Sequence, residues 1–151
     1  MNALDCFLIE YSDSSFTNPH EVAQGITPPD RQGQFTHMGA QYWGFETDRH
    51  IGTEIYPTQQ HFRFRPNKGH FLCLGLKTRS VVTQIDIDTR WFTGNHVPEV
   101  TVILEDADDQ VIVLSHQTLR PNAPHHFVIP PTQAERCRVL CHQEGGIARV
   151  A

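Results

Sequence analysis

An all-β sandwich is the fold class that this sequence predicts, and three observations lead to it. No window keeps apolar residues at the i, i+3, i+4, i+7 spacing of an amphipathic helix. Short alternating or β-branched apolar runs recur along the chain, separated by ten glycines and ten prolines. A chain of 151 residues buries about two thirds of the surface that its unfolded form exposes, so we expect one domain over residues 1–151.

The clearest strand signals flank a loop in the second half of the chain. Ile85 and Ile87 alternate with Asp86 and Asp88, which is typical of a half-buried strand, and residues 100–104 form a second, β-branched run. In chain order, the predicted strands are 6–11, 62–65, 71–76, 81–89, 98–105, 111–117, 126–129, 136–142 and 147–150. Turns are predicted at 28–29, 66–69, 106–110, 120–124 and 130–131. Residues 12–60 are the least regular part, and we expect functional loops there.

Charge and hydropathy exclude several classes of partner. The net charge is -5 and the 12 basic residues are scattered, so no basic stripe favours nucleic acid. No apolar run approaches the roughly 18 residues of a membrane span, which argues against a membrane partner. The start of the chain lacks the basic and small-residue features of a signal peptide, so a cytoplasmic location is expected.

Cysteines and histidines give no metal signature. Four cysteines are expected to be free thiols, because a chain of this size does not need disulfides. The ten histidines form no zinc-finger or HExxH spacing, so no metal site is predicted and no cofactor is indicated. Cys137, Val139 and Cys141 alternate along a predicted strand and are expected to share its buried face.

The loop of residues 91–98 is dense in groups that bind small polar ligands. Gly94 and Asn95 tolerate positive φ, Pro98 fixes the exit, and aromatic residues supply packing, so the loop is expected to have a defined shape. His96 adds an imidazole. The loop is therefore a candidate binding loop.

Polar groups also cluster after Trp43, in the segment WGFETDRH. One interpretation is a solvated loop with local ion pairs. The other is a site in which Arg49 receives a carboxylate through its planar guanidinium and Glu46 exchanges a proton. Both interpretations stay open on this segment alone.

Two further segments carry candidate groups. In EGGIAR, a double glycine brings Arg149 to a sheet end, either as a plain hairpin or close to a ligand. His125 and His126 follow a proline-rich turn, and a histidine there could act as an acid or base. One of the two is expected to face the core.

These segments together resemble a known family. WGFETDRH, GHFLCLGL, DIDTRWFTGNHVPEV, LRPNAPHHF and EGGIARV, in this order, resemble the repeat of the allantoicase family. The resemblance covers residues 40–150 and implies a galactose-binding-domain-like jelly-roll β-sandwich. It also implies hydrolysis of allantoate to ureidoglycolate and urea, within purine degradation. The positions that match the family pattern are Gly44, Glu46, Thr47, Arg49, His70, Cys73, Asp88, Thr89, Phe92, Gly94, Asn95, Pro98, Pro121, one of His125 or His126, Phe127, Gly145, Gly146, Ile147, Ala148 and Arg149.

The chain also departs from that pattern. Phe45 and Asp48 stand where the family has tryptophan and arginine, and Phe71 and Leu72 replace an aspartate and a tryptophan. Family enzymes usually carry two such repeats, whereas this chain has one. Self-association that pairs two single repeats is therefore expected, or a relative that kept the fold and changed the activity.

The resemblance and the chemistry of allantoate suggest roles. Arg49 or Arg149 would bind the carboxylate of allantoate or a similar polar anion, and Glu46 or His126 would transfer protons. The remaining candidate ligand-binding groups, which would contact the ureido groups or lie beside them, are Asp88, Asn95, His96 and His70. The alternative is a non-catalytic module that binds a small ligand or carbohydrate, or that assembles with another subunit.

Overall fold

The protein is built from β-strands. A computed structural model describes residues 4–12, 19–24, 26–29, 35–36, 39–40, 44–46, 70–143 and 145–151. Within these residues lie ten strands and a short 3₁₀ helix, Pro19–Ala23. The strands are β1 (Cys6–Tyr11), β2 (Phe35–Thr36), β3 (Gly39–Ala40), β4 (Phe45–Glu46), β5 (His70–Asp88), β6 (Glu99–Asp106), β7 (Asp109–Thr118), β8 (Pro124–Cys141), β9 (Gly146–Ile147) and β10 (Arg149–Val150). None of the described helices is long and apolar enough to cross a membrane.

The main sheet is antiparallel and has the strand order β1-β5-β8-β6-β7. Strand β10 pairs with the end of β5, on the edge that β1 occupies further back along the same strand. Two small ladders, β2 with β3 and β4 with β9, lie apart from this sheet. The β4–β9 ladder brings Glu46 opposite Gly146.

Two long strands wrap around the core. A straight strand of 19 residues, the length of β5, would extend for about 63 Å, roughly four times the radius of gyration of a compact chain of this size. The β5–β8 ladder shifts register between Gly75 and Ser80 and again between Val82 and Gln84. Such irregularities bend strands, so the β5–β8 ladder is expected to bend at these two points.

The continuity of these strands corrects two of our turn and strand predictions. Residues 71–76 and 81–88 belong to one strand, as do residues 126–129 and 136–141, so the predicted strands 81–89 and 136–142 each extend one residue too far. The turn predicted at Pro130 and Pro131 is wrong, because both prolines lie inside β8. They are tolerated because the pairing with β5 passes from Val128 to Thr132, so the ladder needs no N–H from either proline. The strand predicted at 62–65 and the turn at 66–69 lie outside the described residues.

A continuous apolar core fills the space between the strands. It includes Leu72 and Ile87 of β5, Val100 of β6 and Val139 of β8, all fully buried. Cys137, Val139 and Cys141 are buried together, as their alternation predicted. All four thiols are free, and burial raises the pKa of Cys137 to about 12. Cys137 is therefore an inert core residue.

Candidate functional site

The segment Gly146–Val150 connects three of the motifs that the sequence singled out. The N–H of Gly146 donates to the carbonyl of Asn95 at 2.8 Å, while Gly146 pairs with Glu46 across the β4–β9 ladder. Two residues later, the N–H of Ala148 donates to the carbonyl of Asp88 at 2.7 Å. One short stretch of backbone thus holds β4, the 91–98 loop and the end of β5 together.

Glycine is required at the start of this segment. Gly145 has φ +152°, and a Cβ there would overlap the backbone of His96. A Cβ on Gly146 would overlap the ring of Phe92. The absence of side chains lets the segment lie directly against the 91–98 loop, which fixes the position of Asn95.

Glu46 and Asn95 form the central polar contact. The side-chain amide of Asn95 donates from Nδ2 to Oε2 of Glu46 at 2.8 Å. Glu46 is only 4 % exposed, and a buried carboxylate is costly unless it accepts hydrogen bonds. The Asn95 amide therefore stabilises the ionised form of Glu46 and orients it.

His96 follows Asn95 and contributes an imidazole. Its Nε2 lies 3.1 Å from the carbonyl of Leu119, so Nε2 carries the proton and Nδ1 presents a lone pair. Nδ1 is buried and has no hydrogen-bond partner within the described part of the chain. His96 also pairs with Gly146 in an isolated parallel bridge, so the imidazole sits on the same backbone framework as Asn95. A ligand N–H or O–H would satisfy Nδ1.

Asp88 lies at the end of β5 and is engaged locally. Its Oδ1 accepts the N–H of Arg90 at 2.8 Å, and its Oδ2 lies 3.5 Å from Nε of the same arginine. The carboxylate is 7 % exposed. These contacts shape the turn that leads into the 91–98 loop.

Arg149 lines a cavity of about 250 Å³ beside the open edge of β5. The cavity is mainly apolar, with walls from Leu74, Leu104 and Val150 among others, and Asp86 also lines it. Arg149 donates from one guanidinium nitrogen to the carbonyl of Ile26 at 3.3 Å. Its Nε is buried and lacks a partner among the described residues. An anionic group would be attracted to this end of the cavity.

His125 and His126 lie on opposite faces of β8. His125 is buried; its Nδ1 donates to the carbonyl of Ile87 at 3.0 Å, and its Nε2 accepts the N–H of Arg120 at 2.8 Å. Burial lowers the pKa of His125, and both nitrogens are occupied, so the residue is structural. His126 is exposed and bonds through Nδ1 to Asp86 at 2.9 Å, beside the cavity rather than in the contact between Glu46 and Asn95.

The predicted site residues therefore fall into two groups. Glu46, Asn95 and His96 lie together around Gly146, whereas Arg149 and His126 lie around Asp86 and the cavity. His70 is buried at the start of β5, opposite Cys141. Arg49 lies outside the described residues.

The sequence did not single out Glu21. This residue is buried in the 3₁₀ helix, and its Oε1 accepts the N–H of Gly44 at 3.4 Å, immediately before β4. It lies in the least regular part of the chain, where no periodic pattern or motif marks it. Its burial beside β4 places a second carboxylate close to the Glu46 strand.

The chain belongs to the all-β fold class and has the jelly-roll β-sandwich architecture. A family model described as the allantoicase repeat matches residues 1–151. The chain belongs to the allantoicase family.

Relatives and solved structures agree with this assignment. The allantoicase of Saccharomyces cerevisiae is 25% identical over 157 residues, covering 94% of this chain and 42% of the relative. The probable allantoicase of Schizosaccharomyces pombe is 29% identical over 150 residues, covering 91% of this chain and 40% of the relative. The crystal structure of the S. cerevisiae allantoicase superposes with a TM-score of 0.68 at 20% identity, covering 96% of this chain and 39% of that one. The chain thus spans about two fifths of the length of these proteins.

Proposed function

We propose that the protein is an allantoicase-type hydrolase that converts allantoate and water to ureidoglycolate and urea. The observation that carries this proposal is the buried carboxylate of Glu46, oriented by the Asn95 amide, while His96, the next residue, bridges to Gly146. Family membership supplies the substrate class, because the matched relatives are named allantoicases. A fixed carboxylate held against the same glycine segment as a histidine suits a reaction that moves protons on a small polar substrate.

The chemistry requires a proton donor and a cation. The bond between the central carbon of allantoate and one ureido nitrogen breaks, that nitrogen gains a proton as urea leaves, and water supplies the hydroxyl group that remains on the carbon. In our proposal Glu46 transfers the protons, and the ureido N–H groups donate to Nδ1 of His96. Arg49 is our candidate for binding the substrate carboxylate, because a guanidinium binds it in a bidentate manner.

We further propose that two copies associate. The matched allantoicases are more than twice as long as the stretch that this chain covers in them. Phe7 and Ile9 of the edge strand β1 both lie over Gly75 and form an apolar stripe, 46% and 48% exposed. An apolar stripe on an edge strand favours contact with another chain. Light scattering measures this directly: a dimer or larger assembly is expected, and a monomer at high concentration would contradict it.

A ligand-binding module without catalysis is the second candidate. Where the family pattern has an aspartate after His70, this chain has Phe71, whose ring lies 5.9 Å below the Arg138 guanidinium. Leu72, in place of a tryptophan, is completely buried in the core. Two positions next to His70 therefore serve packing, which favours binding of a small ligand or carbohydrate without turnover.

Urea release from allantoate separates the two candidates. The purified chain is incubated at high concentration with allantoate, and urea is measured over time alongside allantoate binding by calorimetry. Our proposal expects urea release that is abolished in Glu46→Gln and Arg49→Ala, and unchanged in Glu135→Gln, a matched change at an exposed position of β8. Circular dichroism confirms that each variant is folded. Binding without urea release would favour the second candidate, and neither signal would contradict both.

A further inference from the structure

Three side chains from neighbouring strands of the main sheet converge, and none of them belongs to the Glu46 group. Glu99 is the first residue of β6, His116 belongs to β7, and His142 directly follows β8. Strands β8, β6 and β7 are adjacent in the sheet. One ligand atom from each residue lies within 4.8 Å of the others.

The three groups already contact one another. Nδ1 of His116 lies 2.6 Å from Oε1 of Glu99, and the rings of His116 and His142 stack with their centroids 4.2 Å apart. The backbone N–H of His142 donates to the carbonyl of Glu99 at 3.1 Å. The relative positions of the three ligands are therefore set by hydrogen-bonded strands rather than by flexible loops.

A β-bulge aims His116 at its partners. Val100 pairs with Gln117 and Val102 with Leu114, so β7 carries one more residue than β6 in this interval. His116 lies in that interval with φ +50°, a conformation that L-residues seldom adopt. Bulges redirect side chains and recur beside functional sites.

Thr101 contacts the backbone of His116 and the imidazole of His142. Its side-chain oxygen accepts the backbone N–H of His116 at 3.1 Å and lies 2.7 Å from Nε2 of His142. When Nε2–H of His142 donates to this oxygen, the lone pair of Nδ1 is left for an external partner. A hydrogen bond from the second ring N–H fixes the tautomer and orientation of a metal-binding histidine, and the Thr101 oxygen is the acceptor here.

We propose that Glu99, His116 and His142 form a binding site for a divalent transition metal such as Zn²⁺. Two imidazoles and one carboxylate are three protein ligands of the type that Zn²⁺ takes, with water in the fourth position. Tetrahedral bonds of about 2.0–2.1 Å separate a nitrogen and an oxygen ligand by about 3.3 Å. The Glu99–His116 contact would therefore open by several tenths of an ångström, which exposed side chains accommodate. The site does not depend on the proposed allantoate chemistry.

Calorimetric titration of the full chain with Zn²⁺ tests the proposal. We expect one saturable equivalent in the wild-type protein, and binding weakened at least about tenfold in His116→Gln and in His142→Gln. Thr101→Val, which removes only the orienting hydroxyl, should weaken binding by about 10- to 100-fold. Titration with Mg²⁺ should give no comparable binding, because Mg²⁺ prefers a shell of oxygen ligands.

His126→Gln is the matched control, because His126 is also an exposed histidine bonded through Nδ1 to a carboxylate but is not part of the three-residue cluster. It should bind Zn²⁺ like the wild type. Zn²⁺ should also raise the midpoint of thermal unfolding in the wild type and in this control but not in His116→Gln, because a ligand of the native state stabilises it. Three results would each overturn the proposal: no saturable binding in the wild type, unchanged binding in both cluster variants, or equal loss in the control.

Discussion

Asn95 and Glu46, which are 49 residues apart in sequence, meet through a 2.8 Å hydrogen bond from the Asn95 amide to the Glu46 carboxylate. Neither residue is held by this bond alone. Gly146 is hydrogen-bonded to the backbone of Asn95 and paired with Glu46, so the contact forms only when the glycine segment is in place. The contact between Glu46 and Asn95 therefore depends on the packing of β4, the 91–98 loop and the glycine segment against one another.

Removing the amide of Asn95 should destabilise the protein. Asn95→Ala leaves the buried carboxylate of Glu46 with one donor fewer, and we expect a loss of about 1–3 kcal/mol in the free energy of unfolding. Urea denaturation measures it. In a double-mutant cycle with Glu46→Gln, the two changes should be coupled by about 0.5 kcal/mol or more, whereas strict additivity would contradict a direct interaction.

Gly146 should not accept a side chain. Gly146→Ala places a methyl group against the ring of Phe92, and overpacking of this kind costs about 1–3 kcal/mol. Gly94→Ala is the matched control, because nothing lies within 4 Å of the Cβ it would introduce. Its effect should stay within about 0.5 kcal/mol. Equal losses in the two variants, measured by chemical denaturation, would refute the packing argument.

The hydroxyl of Thr89 ties the end of β5 to the 119–124 turn. It donates to the carbonyl of Arg120 at 2.6 Å and accepts the N–H of Ala123 at 3.1 Å, and Thr89 is fully buried. Thr89→Val keeps the volume but leaves these groups unsatisfied, so stability should fall by about 1–3 kcal/mol. Thr93→Val, at an exposed position of the neighbouring loop, should leave the stability nearly unchanged. Thermal unfolding of both variants and the wild type measures the two effects.

His125 should make stability depend on pH. Burial lowers its pKa in the folded protein, so the unfolded chain takes up this proton first as the pH falls. The stability that neutral His125 contributes is therefore fully present above a pH of about 6.5, the ordinary value of an unfolded imidazole, and is lost as the pH falls towards the lowered pKa of the folded state.

Unfolding free energies measured between pH 5 and 8 test this dependence. The slope in that window should be smaller in His125→Gln than in the wild type. A wild-type slope that survives in His125→Gln would assign the effect to another group.

Much of the fold followed from local patterns. The alternation of Ile85 and Ile87 with aspartates and the β-branched run at residues 100–104 both lie in strands of the main sheet. The predictions of strand ends and turns were wrong where the long strands β5 and β8 bend. A polar stretch such as residues 77–80, or the pair Pro130 and Pro131, resembles a turn in sequence, because the signals that end a strand also permit it to bulge.

The candidate site was less predictable because its contacts are tertiary. The double glycine could be identified from sequence, but the register that places Gly146 beside both Glu46 and Asn95 depends on strand pairing across the whole chain. The cluster of Glu99, His116 and His142 gave no local signal, because its geometry depends on a bulge. The sequence indicates only that Glu99 and Val100 lie on opposite faces of a strand, with Val100 buried.

The ladder between β5 and β8 also sets the kinetics of folding. Its nearest pair, Asp88 with Pro124, closes a loop of about three dozen residues, and its farthest, His70 with Cys141, closes one about twice as long. Closing these loops costs chain entropy before most of the stabilising contacts between the strands have formed. The chain should therefore fold in milliseconds to seconds rather than microseconds. During that interval the apolar faces of both long strands are unprotected, and nascent chains at high concentration would associate through them before the sandwich closes.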